Sequence, residues 1–156
     1  MRKNSAFVAA AALLLPALSG CGGGGDDPSL NGIWRNVSVR LGNSVVTCPG
    51  SISSGDTEVS CGPNDTLTFG NSTFRDDSLD DSGVPQRTLG TYTRDGDDLA
   101  VTLTQAAEDR NRNGIYEPDE IETLDPPFAA TFQIDSLNDD RLVLVLNGNF
   151  AATYTR

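Results

Sequence analysis

Apolar residues that alternate with polar ones, run after run, constrain this chain more than any other feature. Leu99, Val101 and Leu103 alternate with Ala100 and Thr102; Phe128, Ala130, Phe132 and Ile134 alternate with Ala129, Thr131 and Gln133. Phe150, Ala152 and Tyr154 keep the same spacing, as do Leu67 with Phe69 and Val37 with Val39 and Leu41. A period of two places every second side chain on one face, the pattern of a half-buried strand. Asp95-Gly96 and Asn147-Gly148 fall between runs and are hairpin dipeptides, because such residues tolerate the positive φ of tight turns. Gly70-Asn71 and Asn138-Asp139-Asp140 supply further turns. No helical stripe exceeds a turn or two, and Gln105 to Glu108 is the best short candidate. Residues 30–156 therefore predict an all-β domain. Eight or nine antiparallel strands, joined by hairpins, form an up-and-down meander that closes into a barrel. A small β-sandwich with a buried Trp is the other arrangement this pattern allows.

The domain opens on Asn31-Gly32-Ile33-Trp34, a G-x-W motif. Leu67-Thr68-Phe69, Gly90-Thr91-Tyr92 and a terminal Thr153-Tyr154-Thr155-Arg156 follow at suitable spacings. This set resembles the lipocalin-like barrel domains of bacterial lipoproteins, over residues 30–156 except the segment near 105–126. The resemblance implies that Trp34 plugs the closed end, that Gly32 permits the strand entry, and that Arg156 stacks on Trp34. The chain departs from ligand-carrying lipocalins in its short strands and few large aromatics. An eight-stranded interior is just wide enough to be filled by its own side chains or to hold one small ligand. The sequence leaves both open.

Residues 1–20 read as an address. Arg2 and Lys3 form a positive start, and Ala6 to Leu15 form an apolar run too short to span a bilayer comfortably. Leu18-Ser19-Gly20-Cys21 resembles a bacterial lipobox, the recognition site of lipoprotein signal peptidase. That resemblance implies cleavage before Cys21, a diacylglyceryl thioether on its sulfur, and acylation (palmitate or a similar chain) of the new amine. Two or more lipid chains anchor a protein stably without a membrane helix. Residues 21–29 form the lipidated cysteine and a Gly/Asp-rich linker, and Gly22 to Ser29 reach roughly 16 Å as a flexible coil. Gly22 stands where an Asp would resemble the inner-membrane retention signal of enterobacteria, so the outer membrane is the favoured location in a bacterial cell envelope. The chain is expected to be a monomer.

Loss of Arg2 and Lys3 with the leader leaves nine basic residues, all arginine, against 22 acids. A phosphate backbone would be repelled, which excludes nucleic acid. Histidine is absent, removing the commonest general base and the commonest zinc ligand. Export implies an oxidising compartment, so Cys48 and Cys61 read as a disulfide closing a flexible loop. No basic neighbour would lower a thiol pKa there, which disfavours redox chemistry.

The sharpest constellation is Asp109-Arg110-Asn111-Arg112-Asn113-Gly114-Ile115-Tyr116-Glu117-Pro118-Asp119-Glu120. It fits D-x-[DN]-x-[DN]-G-x₅-E, the EF-hand calcium loop, at every defined position. Calcium takes six to eight hard oxygen ligands. Asp109, Asn111 and Asn113 would give side-chain oxygens, Ile115 its backbone carbonyl, Glu117 a direct or water-mediated oxygen, and Glu120 a bidentate carboxylate. Strand-like residues before the loop, and Pro126-Pro127 after it, leave no room for the paired helices of an EF-hand. The expectation is a structural Ca²⁺ site in an inter-strand loop; an acidic surface turn is the plainer reading.

Three functions compete. The first is a non-enzymatic, membrane-anchored barrel that binds a small apolar ligand or an envelope protein. The second is a barrel-type inhibitor or envelope-maintenance protein acting through its loops. The third is an enzyme, in which only carboxylates could do chemistry. Asp76-Asp77, Asp80-Asp81 and Asp97-Asp98 read as solvated charge in turns, which disfavours it.

Overall fold

The computed structural model describes residues 28–80 and 82–156. The leader, Cys21 and residues 22–27 of the linker lie outside them. Eleven strands are present among the described residues: β1 (Gly32–Leu41), β2 (Ser44–Thr47), β3 (Gly50–Ser54), β4 (Thr57–Cys61), β5 (Thr66–Phe69), β6 (Thr73–Leu79), β7 (Pro85–Asp95), β8 (Asp98–Glu108), β9 (Ile121–Leu137), β10 (Arg141–Leu146) and β11 (Phe150–Thr155). Every pairing is antiparallel. Strands β5 to β11 follow one another around the wall, and β1 closes it. Its first half pairs with β5 (Trp34 opposite Leu67) and its second half with β11 (Val39 opposite Ala152). The result is an eight-stranded barrel. β2 is an extra strand on β1, and no helix of the described residues is long and apolar enough to cross a membrane.

Parity along the strands fills the interior. Trp34, Leu67, Phe69, Phe74, Leu99, Val101, Ile134, Leu142 and Leu144 are buried and form one cluster with Leu30. Phe69 meets Phe74 and Tyr92 edge to face at 5.4 and 5.1 Å. Each such side chain contributes about 1.5–3 kcal/mol by leaving water, so this cluster holds the barrel shut at one end. A second cluster, Val39, Cys61 and Ala152 with Val46, Ile52, Val59 and Phe150, lies at the other end. Tyr154 packs against both.

Three expectations need correction. Gln105 to Glu108 is not helical: it continues β8, paired with β7 and with Ile121–Thr123 of β9. Two neighbouring ladders outweigh its weak helical propensity. Residues 48–61 are not an irregular loop, since β3 and β4 form a regular hairpin with Ile52 opposite Val59. The Cys48–Cys61 disulfide is formed, with Cα atoms 5.4 Å apart, and clips that hairpin to the barrel. Asp76 and Asp77 do not sit in a turn; both lie inside β6. Pro126-Pro127 is accommodated because residues 124–127 bulge out of the ladder between Thr123 and Phe128, where no N–H is required.

Candidate functional site

The closed end is built on Gly32, Trp34 and Arg156. Gly32 has φ +132°, a backbone state that side chains rarely adopt, and a Cβ there would lie 3.5 Å from the Arg156 Nε. Trp34 is fully buried, and its Nε1 donates to the Leu30 carbonyl at 2.7 Å. The Arg156 guanidinium lies 4.3 Å from the Trp34 ring centroid, and its Nη2 donates to the carbonyls of Ser29 and Asn31 at 2.6 and 2.9 Å. The guanidinium thus caps the plug and ties down the incoming chain.

The loop between β8 and β9 brings all the candidate metal-ligating residues together. Asp109 accepts from the N–H groups of Asn113 (3.1 Å) and Gly114 (2.8 Å). Glu120 accepts from those of Arg110 (2.9 Å) and Glu117 (3.2 Å). Asn111 and Asn113 each accept from the N–H two residues on, and both donate their amides to Glu117. Gly114 turns the chain at φ +82°, and Pro118 starts a single 3₁₀ turn, Pro118–Glu120. A hydrogen bond with Glu120, then those from the Asn113 and Asn111 amides, hold the Glu117 carboxyl below its ordinary value.

Asp109 and Glu120 are the buried charged residues of the described chain, and neither has an ion-pair partner among the described residues. Two buried carboxylates without an ion-pair partner are what a cation would offset. The oxygen-only donor set suits a hard cation. Among the described residues, no three His, Cys, Asp or Glu side chains are gathered closely enough to hold a metal by themselves. The Asn111 and Asn113 oxygens and the Ile115 carbonyl would have to complete the set.

The tip of this loop folds back on the outer wall. Arg87 pairs with Asp77 at 2.6 Å and lies over the Tyr116 ring at 4.6 Å, while Arg75 takes the other Asp77 oxygen at 2.7 Å. Burial, then the charges of Asp77 and Asp109, push the Tyr116 hydroxyl up, opposed by Arg87 and Arg75. Between loop and wall runs a groove of about 370 Å³ lined by Leu89, Ala107, Ile115, Tyr116 and Ile121 with Arg87 at its edge.

Strand parity places a different set inside the other half of the barrel. Phe74 faces the core, so Asp76 and Ser78 follow it inward; Thr88 stands opposite Asp76 and Ala106 opposite Thr88. Asn36 pairs with Tyr154 on the same inner wall, and Asp65 precedes β5 beside them, its carbonyl accepting from the Asn36 N–H at 2.9 Å. Burial, then the charges of Asp65 and Asp77, raise Asp76 from 3.8 to about 7. Burial, then the charges of Asp76 and Asp65, raise Tyr154. The alternation running inward from Phe74 was the signal that could have picked out Asp76.

No protein-family model and no curated protein matches the chain. Among solved structures it is similar to a lipocalin-like protein from Bacteroides uniformis, at 15% identity and a TM-score of 0.52, covering 81% of this chain and 97% of that one. It is also similar to an uncharacterized protein from Bacteroides eggerthii, at 14% identity and a TM-score of 0.49, covering 82% and 99%. The fold is thus an all-β, lipocalin-like barrel.

Proposed function

We propose that this chain is a non-enzymatic binding barrel of the bacterial cell envelope, lipid-anchored at Cys21, with a structural Ca²⁺ in the 109–120 loop. Its ligand is a small molecule held in the half of the barrel away from Trp34. The observation that carries this reading is the division of the interior. The Trp34 half is filled by large buried side chains, which leaves no place for a long apolar ligand. Several inward positions of the other half are small or polar, namely Ser78, Thr88, Ala106 and Ala152, beside the Val39 cluster. Ser78, Thr88 and Ala106 keep partial solvent contact although they face inward. The non-enzymatic part rests on the absence of histidine and on Cys48 and Cys61 being joined, which removes the commonest general base and the thiol nucleophile.

The full-length protein in phosphatidylcholine nanodiscs, saturated with the neutral apolar probe N-phenyl-1-naphthylamine, should melt several degrees higher than without it. A ligand that binds only the folded state raises stability by RT ln(1 + [L]/Kd). An unchanged melting temperature, together with no calorimetric binding of a small organic amine, overturns the reading. One observation favours the second reading, an inhibitor or envelope-maintenance protein acting through its loops: the groove between Ile115, Tyr116 and the outer wall is large enough for a partner's side chain.

A further inference from the structure

We propose that the inner wall around Asn36, Asp65, Asp76 and Tyr154 is a binding site for a small organic ammonium, its charged head on the acids and its apolar body toward Val39, Ala152 and Phe150. The inference rests on the binding-barrel reading above and names the class of ligand.

The cluster is short of donors. Two acids and an amide oxygen face one phenol; the phenol O–H, and the Asp76 O–H for as long as that acid keeps its proton, are the only donors they bring among themselves. Gly62 N–H satisfies one oxygen of Asp65 at 2.6 Å, but the other Asp65 oxygen and the Asn36 amide oxygen are buried without a partner. Buried acceptors left unmade are costly, and native proteins rarely keep them without a reason. Among the described residues, the arginines of β6 and β7 do not supply the missing charge from inside. Arg75 and Arg87 alternate with Asp76 and Thr88 and so face the outer wall, where both engage Asp77. The mature chain has no lysine. The charges that reach Asp76 are those of other acids.

Space and shape agree. Asp76 and Tyr154 face inward by strand parity and retain accessible surface. Tyr154 joins the two apolar clusters, so the polar group lies at the boundary between the filled end and the Val39–Ala152–Phe150 end. An occupant with one cationic, hydrogen-donating end and one apolar end matches that order. A net charge of −11 on the whole chain draws cations toward it.

The test is calorimetric titration of the full-length protein in phosphatidylcholine nanodiscs with three probes of one shape: 2-phenylethylamine, 2-phenylethanol and 3-phenylpropanoate. The amine should bind one per chain, at least tenfold more tightly than the alcohol or the acid. A charge-assisted hydrogen bond to a buried acid corresponds to roughly a tenfold to hundredfold change. Asp76→Asn should weaken the amine by that factor, and Tyr154→Phe, which keeps the ring and the fold, by a smaller one. Asp125→Asn, at an exposed acid on β9, should leave it unchanged. The proposal is overturned if the three probes bind alike, or if a folded Asp76→Asn and Tyr154→Phe both keep wild-type affinity. It is likewise overturned if Asp125→Asn costs as much as Asp76→Asn. If N-phenyl-1-naphthylamine stabilises the protein while the amine does no better than the alcohol, the binding barrel stands and this ligand class falls. If neither binds, both fall.

Discussion

Asp76 keeps its proton in the folded chain up to about pH 7, because burial and the charges of Asp65 and Asp77 disfavour the anion; unfolded, it loses the proton near 3.8. Between those values the folded state binds the extra proton, so its stability falls as pH rises. The contribution is fully present below about pH 4, is lost through pH 7, and changes no further above that. The difference corresponds to roughly 4 kcal/mol. Asp76→Asn should therefore raise the melting temperature at pH 8 and scarcely change it at pH 4; an equal effect at both would contradict the placement. At the closed end, Trp34→Ala should cost about 3–5 kcal/mol in a urea melt. Arg156→Met should cost about 0.5–1 kcal/mol through its ring contact. Equal costs would mean that Trp34 is no plug. Trp34 and Arg156 could be read from the sequence because a G-x-W motif and a last-strand arginine are local features. Asp76 is easily passed over, because only its alternation with Phe74 marks it, and in a chain with 22 acids it resembles every other aspartate until β6 fixes its parity.

The strands show where local pattern prevails and where pairing does. Leu99–Leu103 and Phe128–Ile134 alternate cleanly, and both runs became strands. Gln105–Glu108 carries no alternation, and only its two neighbours make it part of β8. The β3–β4 hairpin has mostly small polar residues, so nothing but the disulfide hinted that the segment was held to the barrel. The 109–120 loop was the reverse case, recognisable from spacing alone because its turns depend on adjacent side chains. If calcium binds there it should raise stability by about 2.7 kcal/mol at a hundredfold excess over Kd. Magnesium should do less, since it demands a tighter octahedron. Glu120→Gln and Asp109→Ala should abolish the effect in thermal melts with calcium and chelator. A melting temperature indifferent to several millimolar calcium, above the weak extracellular range of about 10⁻⁴–10⁻³ M, would leave the loop a hydrogen-bonded acidic turn.

For the molecule as a whole, the proposed anchor and the barrel are separable. The acidic domain is repelled by anionic lipid, so its membrane attachment should depend on Cys21 alone. Cys21→Ser should move the protein out of the membrane fraction or leave it unprocessed; unchanged fractionation of a processed chain would remove the lipid anchor from the account. The topology was open to the sequence only in outline. Hairpins predict neighbours, but closure by β1 pairing with both β5 and β11 is a contact across the whole chain. How the interior divides follows from that closure. Hydrogen exchange of the full-length protein, with and without saturating N-phenyl-1-naphthylamine, asks which half of the barrel holds a ligand. Exchange should slow in β1 beyond Asn36, in β6, in Gln86–Gly90 of β7 and in β11, with the loop unaffected. Protection confined to Gln105–Ile121 would place the ligand in the outer groove and contradict binding inside the barrel.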